Sequence, residues 1–355
     1  MRVRNPLVMD CGIYHTSYRH DMAILSAPAA RIKVLVLVAL LLVFPWVVNP
    51  YYVGVANLIG IAAIGAVGLN ILTGFTGQIS IGQGAFMGVG AYTAAILTAK
   101  LGFSFWVALP VAGLVTAAVG AAFGIPSLRL KGLYLAIATL AAQIIIEFVI
   151  VHWTSLTNGA AGMVVSRPSI GGLVLNTNQS FYYLVLALAV AAIVFAMNLM
   201  RTKVGRAFMA IRDRDLAAAV MGINLFKYKV LAFAVSSFYA GIAGALWGHY
   251  MEVISPEHFT IAVSVEYLAM IIIGGLGSVL GSVYGACFII LLPIILRGAA
   301  GYLAAGIPGI ETIMLGLQHA FFGLIIILFL IFEPEGLAKL WKNIKDYFKL
   351  WPFSY

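Results

Sequence analysis

The sequence predicts an all-α protein whose helices form a bundle across a membrane, and three observations carry that prediction. Of the 355 residues, 63% are hydrophobic and 9% are charged, about a third of the share in an average soluble domain. Residues 1–33, 201–229 and 333–355 hold 23 of the 33 charged side chains, so the other 270 residues hold ten. Those 270 residues contain several apolar runs of 18 residues or more, and about 20 apolar residues cross a bilayer as a helix.

Composition also excludes other classes of protein. The blocks at 34–48 and 321–332 are apolar on every face, whereas strands of a transmembrane barrel alternate. Residues 1–30 are polar and mixed, so the first apolar block is expected to be retained and not removed as a signal peptide. Cys11 and Cys287 are too few for a disulfide framework or a four-ligand metal site, and no cofactor is expected. The net charge of +9 lies beside apolar blocks, which favours membrane lipid as the neighbour and argues against nucleic acid.

Nine apolar blocks follow one another along the chain, and each is predicted to be helical. They lie at 32–49, 53–72, 80–99, 104–125, 133–152, 181–200, 230–250, 264–296 and 312–332. About eight of these are expected to be full spans. The long block at 264–296 is interrupted by Gly274, Gly275 and Gly277, so broken or re-entrant helices are expected there.

The distribution of Lys and Arg predicts the orientation, because basic loops stay on the cytoplasmic side. The basic set comprises Arg2, Arg4, Arg19, Arg31, Lys33, Arg129, Lys131, the 201–229 segment, Lys339, Lys342, Lys345 and Lys349. The loops at 153–180 and 251–263 are expected to face outward. With both termini cytoplasmic, the block at 264–296 must enter from outside, break and return. The expected location is a bacterial-type inner (plasma) membrane, crossed several times.

A second glycine cluster, Gly74, Gly77, Gly82 and Gly84, lies between blocks two and three. Gly74 and Gly77 share their spacing with Gly274 and Gly277. One cluster is expected to be approached from inside and the other from outside, which favours an inverted repeat. Broken helices of this kind recur around transport sites, where protein or a water-filled cavity covers the irregular backbone.

Uncharged polar residues interrupt the apolar sequence around the first glycine cluster. Two alternatives stay open for them: they line the path of a polar solute, or they form interhelical hydrogen bonds that satisfy the freed backbone. Ser80 belongs to this group. The candidate path residues are Thr73, Gly74, Thr76, Gly77, Gln78, Gln83, Gly274, Gly275 and Gly277. The small-residue stripes at 84/88, 236/240/244/248 and 277/281/285 favour close packing over sliding surfaces.

The source of energy is sought outside the chain. Ionisable residues inside the blocks are Glu147, His152, His249, Glu266 and His319. The central part of every block lacks an acid–base pair, which argues against an ion-driven carrier. The sequence has no Gly-Lys dipeptide and therefore no phosphate-binding loop of the Gly-x-x-x-x-Gly-Lys type. Any ATP hydrolysis must then come from another polypeptide.

The middle charged segment, 201–229, is predicted to contain a helix from Arg206 to Gly222, beginning after Gly205. Phe208, Ile211 and Asp215 are expected on one side of this helix, with Arg212 and Arg214 projecting elsewhere. Docking into a groove of a partner is favoured over a solvated connector.

At these residues the sequence resembles the LivM-type permease subunits of branched-chain amino acid ABC importers. The matching stretches are residues 68–74 through 90–92, 206–222 with 228–233, 240–246 and 273–278. The resemblance covers residues 32–335, the predicted permease domain, and leaves 1–31 as an N-terminal extension and 336–355 as a basic tail. It implies a second, LivH-like permease subunit, two ATP-binding subunits and an extracytoplasmic solute-binding protein. Such a chain is a transport subunit and not itself an enzyme.

The resemblance also implies where the ATPase contact lies. The family's Glu-Ala-Ala-x-x-x-Gly pattern falls on residues 216–222, where Leu216 replaces the Glu and Asp215 stands one position earlier. The residues expected to couple to the ATPase are Arg206, Arg212, Asp213, Asp215, Leu216, Ala217, Ala218 and Gly222. Branched-chain amino acids are the expected substrate. Other amino acids, urea or short amides, or an ion-coupled secondary transporter, are the alternatives.

Overall fold

The computed structural model describes residues 28–350 apart from 127–129, 131, 171–172, 175, 305–319, 321–322, 325, 330 and 334. The N-terminal tail with Cys11, the turn residues Arg129 and Lys131, His319 and most of the block at 312–332 therefore lie outside the described residues.

The first five helices match predicted blocks closely. Helix α1 is Pro28–Val47, α2 is Pro50–Asn70 and α3 is Gln83–Ala95; single π-helical turns, Ile71–Phe75 and Ile96–Lys100, continue α2 and α3. Helix α4 is Phe105–Gly124 and α5 is Leu133–His152. The bounds of α5 agree with the predicted block at both ends.

The later helices whose bounds lie within the described residues are α6 Asn178–Arg201, α7 Lys203–Val220, α8 Leu225–Met251, α9 Ile261–Gly274, α10 Val279–Ala304 and α11 Leu337–Leu350. Local sequence explains several starts, because the side chains of Thr177, Thr202 and Asn224 accept hydrogen bonds from the first turns of α6, α7 and α8. Helix α7 thus begins three residues earlier than expected, at the Thr202 cap. It also contains one non-helical residue, Arg214, which kinks it.

Short elements join the helices at one end of the bundle. They are a helical turn at Thr154–Thr157 and 3₁₀ turns at Gly159–Ala161 and Pro256–Phe259. The two-residue strands are β1 Met163–Val164, β2 Ser169–Ile170, β3 Leu173–Val174 and β4 Val253–Ile254. Strand β1 pairs with β4 and β2 with β3, both antiparallel.

Seven helical segments of the described chain are long and apolar enough to cross a membrane. They are Pro50–Phe75, Phe105–Gly124, Leu133–His152, Asn178–Arg201, Leu225–Met251, Pro256–Gly274 and Val279–Gly298. A shorter apolar helix, Ile32–Val47, precedes them. The chain is therefore a multi-pass helical membrane protein, as predicted.

The block predicted at 264–296 does not form a re-entrant hairpin. It breaks at Gly274–Gly277 as expected, and its two halves belong to two of the seven long segments, Pro256–Gly274 and Val279–Gly298, so only the re-entrant alternative is corrected. The chain does reverse where expected: Gly275 and Gly277 both have positive φ, which glycine adopts readily. The reversal joins two crossings.

Helix α3 lies at the centre of the bundle, and nearly all its residues are buried. Close backbone approach makes this packing tight. A Cβ on Gly244 of α8 would lie 2.0 Å from the Met87 carbonyl oxygen, and one on Gly90 would lie 2.3 Å from that of Gly241. The 236–248 stripe is thus a packing surface, as favoured.

The bundle has two distinct ends. We name the end that carries α7 the basic end, and the end that carries residues 152–177 and 252–260 the opposite end. Helix α2 starts at the opposite end, where Asn57 bonds to the Asn178 carbonyl, and reaches the basic end at Gly74. Helix α9 starts after Phe259, which packs on Trp247 near the end of α8, and also finishes at the basic end.

The helix that precedes each glycine cluster therefore starts at the opposite end, and both clusters lie at the basic end. The expectation that one is approached from inside and the other from outside is wrong. This pair of clusters does not support the inverted repeat, which stays a prediction from sequence.

Candidate functional site

The two glycine clusters meet at the basic end, and Asn70 joins them. Asn70 is buried at the end of α2 and reaches the turn after α9. Its Nδ2 donates to the Ser278 carbonyl at 2.8 Å and to the Ser282 hydroxyl at 2.7 Å, while its Oδ1 accepts from the Gly277 N–H at 2.9 Å. We name this contact region, residues 70–77 with 274–282, the glycine junction.

The glycine junction is too tight for larger residues. A Cβ on Gly74 would lie 1.8 Å from Asn70 Oδ1 and 2.4 Å from the Gly277 nitrogen. Atoms in stable proteins do not approach this closely, so the two turns touch only because Gly74 has no side chain. The shared glycine spacing seen in the sequence thus reflects a direct contact.

Arg212 of α7 closes the glycine junction from outside the bundle. Its Nη1 donates to the Gly74 carbonyl at 3.0 Å, and its Nε lies 3.2 Å from Asp213 Oδ1. The expectation that Arg212 projects away is therefore wrong. Residue 212 lies one turn beyond the fully buried Phe208, on the same helix face, and its guanidinium finds a carbonyl that the glycine turn exposes.

A second polar link fixes α7 to the bundle. Lys229 at the start of α8 is 6% exposed, and its Nζ lies 3.8 Å from Asp215 Oδ2. Between α7 and the glycine junction lies a cavity of about 230 Å³, whose walls include Gln78, Arg212 and Asp215. Helix α7 is therefore bonded both to the glycine junction, through Arg212, and to α8, through Lys229.

The far side of α7 is exposed and partly apolar. Leu216, Val220 and Met221 are 73%, 87% and 83% exposed, and we name them the apolar patch. Arg206, Asp213 and Ala217 are also exposed, whereas Ala218 is buried. Gly222 has φ +86° and follows the last turn, so the predicted stop is confirmed.

The polar residues of the first glycine cluster are buried and bonded to nearby backbone. Thr73 Oγ1 donates to the Gln78 carbonyl at 3.2 Å, Thr76 Oγ1 to the Ile71 carbonyl at 2.9 Å, and Gln83 Nε2 to the Gly65 carbonyl at 3.0 Å. Ser80 Oγ accepts from the Gly82 N–H. These bonds fit the alternative in which the set satisfies the freed backbone.

Gln143 and Ser264 form a network that sequence reasoning missed. Gln143 Oε1 accepts from the Ala85 N–H at 2.7 Å and the Ser264 hydroxyl at 3.0 Å, and Ser264 Oγ accepts from the Gly84 N–H at 2.8 Å. The first turn of α3 is thus capped by side chains of α5 and α9. The sequence signal that could have indicated this network is Gln143, a lone amide side chain in an apolar block.

The ionisable residues of the spans lie at different depths. His152 and His249 stand near the opposite end, and His249 Nδ1 donates to the Ser166 carbonyl at 2.9 Å. Glu147 is half-buried near the end of α5. Glu266 is the eleventh of the nineteen residues in Pro256–Gly274, so it lies at the middle of its span and not at its edge.

Known proteins resemble the chain over most of its length. Residues 51–330 match the family described as branched-chain amino acid transport system / permease component. The high-affinity branched-chain amino acid transport system permease protein LivM of Escherichia coli (strain K12) is 32% identical, and that of Salmonella typhimurium 31%. Each alignment covers 89% of this chain and 76% of the relative.

A second permease type is also similar. The probable branched-chain amino acid transport permease protein LivH of Methanocaldococcus jannaschii is 26% identical over 79% of this chain and 89% of its own length. No solved structure matches the chain. Since the family match covers well over half of the 355 residues, the chain belongs to the family of branched-chain amino acid transport system permease components.

Proposed function

We propose that the chain is one of two permease subunits of an ATP-binding-cassette importer for branched-chain amino acids. The second permease is LivH-like, two separate subunits hydrolyse ATP, and an external binding protein delivers the solute. The substrate follows from the LivM relatives. The described chain supplies an exposed basic helix for a partner that provides energy, and the link from Arg212 to Gly74 is the single observation that carries the mechanism.

The ATPase subunit binds the outer side of α7. Its contacts are the apolar patch together with Arg206, Asp213 and Ala217, which are exposed. With Leu216 in place of a carboxylate, apolar burial supplies a large part of this contact, at roughly 25 cal/mol per Å². Asp215 is occupied by Lys229 and so faces the bundle instead of the ATPase.

Movement of α7 passes directly into the glycine junction. Arg212 pulls on the Gly74 carbonyl, and Asn70 transmits the shift to Gly277 and the start of α10. The ATP-bound ATPase subunits can bias the permease only by binding one arrangement of these helices more tightly than the other. The candidate path residues from Thr73 to Gln83 and from Gly274 to Gly277 then form the inner gate of the solute path.

The basic end faces the cytoplasm. Lys and Arg of the 201–229 segment and of α11 gather there, which fits the positive-inside rule. Both termini are cytoplasmic in this orientation, and the 153–177 and 252–260 segments face the binding protein across the inner membrane. Residues 32–335 form the permease domain in this proposal, between the extension at 1–31 and the basic tail at 336–355.

Reconstitution tests the proposal. The chain is co-expressed with its second permease and ATPase subunits, purified, and placed in proteoliposomes with the binding protein. We expect leucine uptake that needs ATP on the cytoplasmic side and that persists in a protonophore and in sodium-free buffer. Uptake of urea or acetamide, without uptake of leucine, would show that the substrate is urea or a short amide and not a branched-chain amino acid. Uptake by the isolated chain under an ion gradient would overturn the importer.

A further inference from the structure

A cavity of about 400 Å³ opens beside α9, away from the glycine junction. Helices α2, α3, α8, α9 and α10 contribute to its walls, so it reaches the centre of the bundle. Its volume lies within the range of about 300–1,000 Å³ that small-molecule sites occupy. Its apolar lining includes Leu58, Ile61, Met87, Val263, Met270 and Ile290.

Glu266 lines this cavity at mid-span. Its side chain is exposed, while the next residue on α9, Tyr267, is buried. Within the described part of the chain Glu266 has neither an ion pair nor a hydrogen bond. A carboxylate is costly against lipid, so one at mid-span faces water or another polar group. Glu266 faces the cavity, which can supply this water or polar group.

His258 supplies the complementary polar group. The backbone N–H of Ser255 donates to His258 Nδ1 at 3.2 Å, within the capping box that begins the turn Pro256–Phe259. Because a backbone N–H only donates, Nδ1 is an acceptor and the proton of the neutral ring is on Nε2. His258 is exposed and its ring packs on Trp247, 4.8 Å between centroids. Two carboxylates therefore line the cavity, Glu266 on α9 and the exposed Glu257 beside His258, and the His258 ring supplies a donor.

We infer that this cavity is the site that binds the solute within the membrane, and that Glu266 accepts the ammonium group of an amino acid. His258 Nε2 donates to the solute carboxylate, and the apolar walls take an aliphatic side chain. This inference rests on the proposed function and moves the binding site away from the glycine clusters, which serve as the gate.

The position of Glu266 also connects binding with gating. Glu266 and Gly274 stand on the same helix, eight residues or about 12 Å apart. Helix α9 ends in the glycine junction, where a Cβ on Gly274 would lie 2.0 Å from the Gly281 carbonyl oxygen of α10. A shift of the glycine junction thus moves the helix that carries the solute contact.

The first experiment compares Glu266→Gln with Glu147→Gln in the complete reconstituted complex. Glu147 is the matched control because it is a half-buried span carboxylate that does not line the cavity. Losing one charge-assisted hydrogen bond lowers affinity about ten- to a hundredfold. We expect Glu266→Gln to raise the half-saturating concentration of leucine-loaded binding protein, or to lower maximal uptake, by at least about tenfold, with Glu147→Gln at the wild-type value.

The second experiment needs no change of charge and covers the case in which Glu266→Gln fails to assemble. A cysteine is placed at Val263, which lines the cavity, or at Val265, which is exposed on the same helix outside it. Leucine should slow maleimide labelling of Val263→Cys at least threefold and leave Val265→Cys unchanged, each measured against the parent with its native cysteines.

The outcomes separate the two proposals. ATP-driven leucine uptake by wild type with equal uptake in both Gln variants, or equal labelling at the two cysteines, would overturn the inference and leave the importer standing. No ATP-driven uptake by wild type would overturn the importer itself. Uptake that a protonophore abolishes in wild type, with Glu266→Gln inactive, would make Glu266 a proton carrier and contradict its role as an ammonium acceptor.

Discussion

Asn70 Oδ1 accepts a hydrogen bond from the Gly277 N–H at 2.9 Å, joining residues 207 positions apart in the chain. The bond connects the ends of α2 and α9, the two helices that run in parallel from the opposite end of the bundle. With Arg212 on Gly74, it makes the basic end a single hydrogen-bonded unit. Mutations at this unit are therefore expected to affect stability and transport together.

Replacement of Asn70 by Leu should destabilise the permease. The partly buried Gly277 N–H loses its partner, which costs about 1–3 kcal/mol. The control is Asn57→Leu, since Asn57 is equally buried and bonds to the Asn178 carbonyl and to Tyr250, but its Oδ1 lacks a hydrogen-bond partner within the described residues. Thermal unfolding in detergent should show a lower Tm for Asn70→Leu than for Asn57→Leu. Equal Tm values would contradict the role of Asn70.

Arg212→Gln should uncouple ATP hydrolysis from solute. The shorter amide side chain cannot reach the Gly74 carbonyl, so α7 loses its hydrogen bond to the glycine junction while keeping Phe208 buried. Solute-stimulated ATP hydrolysis is expected to fall at least tenfold, with the subunits still co-purifying. Arg214→Gln is the control, because Arg214 is exposed at the kink. Stimulation that survives Arg212→Gln would remove this contact from the mechanism.

Gly74→Ala tests the closeness of the two turns. The added methyl would lie 1.8 Å from Asn70 Oδ1, so the turns must separate, and we expect a loss of about 1–3 kcal/mol of stability. Gly298→Ala in α10 is the matched change, since none of the described residues lies within 4 Å of its added Cβ. The yield of monodisperse protein should fall for the first variant alone. Normal yield and Tm for Gly74→Ala would show that the turns do not touch.

The apolar patch predicts the effect of a double change, Val220→Ser with Met221→Ser. Both side chains are more than 80% exposed, so the fold of the permease should tolerate the change. Removing two apolar contacts at about 1.5–3 kcal/mol each should weaken ATPase association by at least tenfold. Leu101→Ser, exposed at the opposite end, provides the control in a titration of the ATPase subunit onto permease in nanodiscs. Undiminished affinity would place the contact elsewhere.

Much of the fold could be predicted from the apolar runs and from the glycine and charged residues that separate them. Helix α5 and the stop at Gly222 were predicted from residue type alone, because hydropathy and glycine act locally. The meeting of Gly74 with Gly277 was not, since it depends on the direction of two helices distant in sequence. Arg212 was misplaced because its partner is a backbone carbonyl, which no pattern of side chains reveals. The predicted block starts at 264 and puts Glu266 near its beginning, whereas the 3₁₀ turn before α9 extends the span to Pro256.

The short length of α9 has a consequence for the surrounding lipid. Fourteen helical residues rise about 21 Å, against a hydrocarbon thickness of roughly 30 Å. The remaining depth beside α9 is occupied by the polar turn Pro256–Phe259, whose irregular backbone requires water or protein around it. In the proposed orientation, acyl chains of the outer leaflet beside α9 therefore end lower than those beside the longer helices, and the exposed Glu257 and His258 lie above them. Bilayer thickness becomes a determinant of how far water reaches toward Glu266.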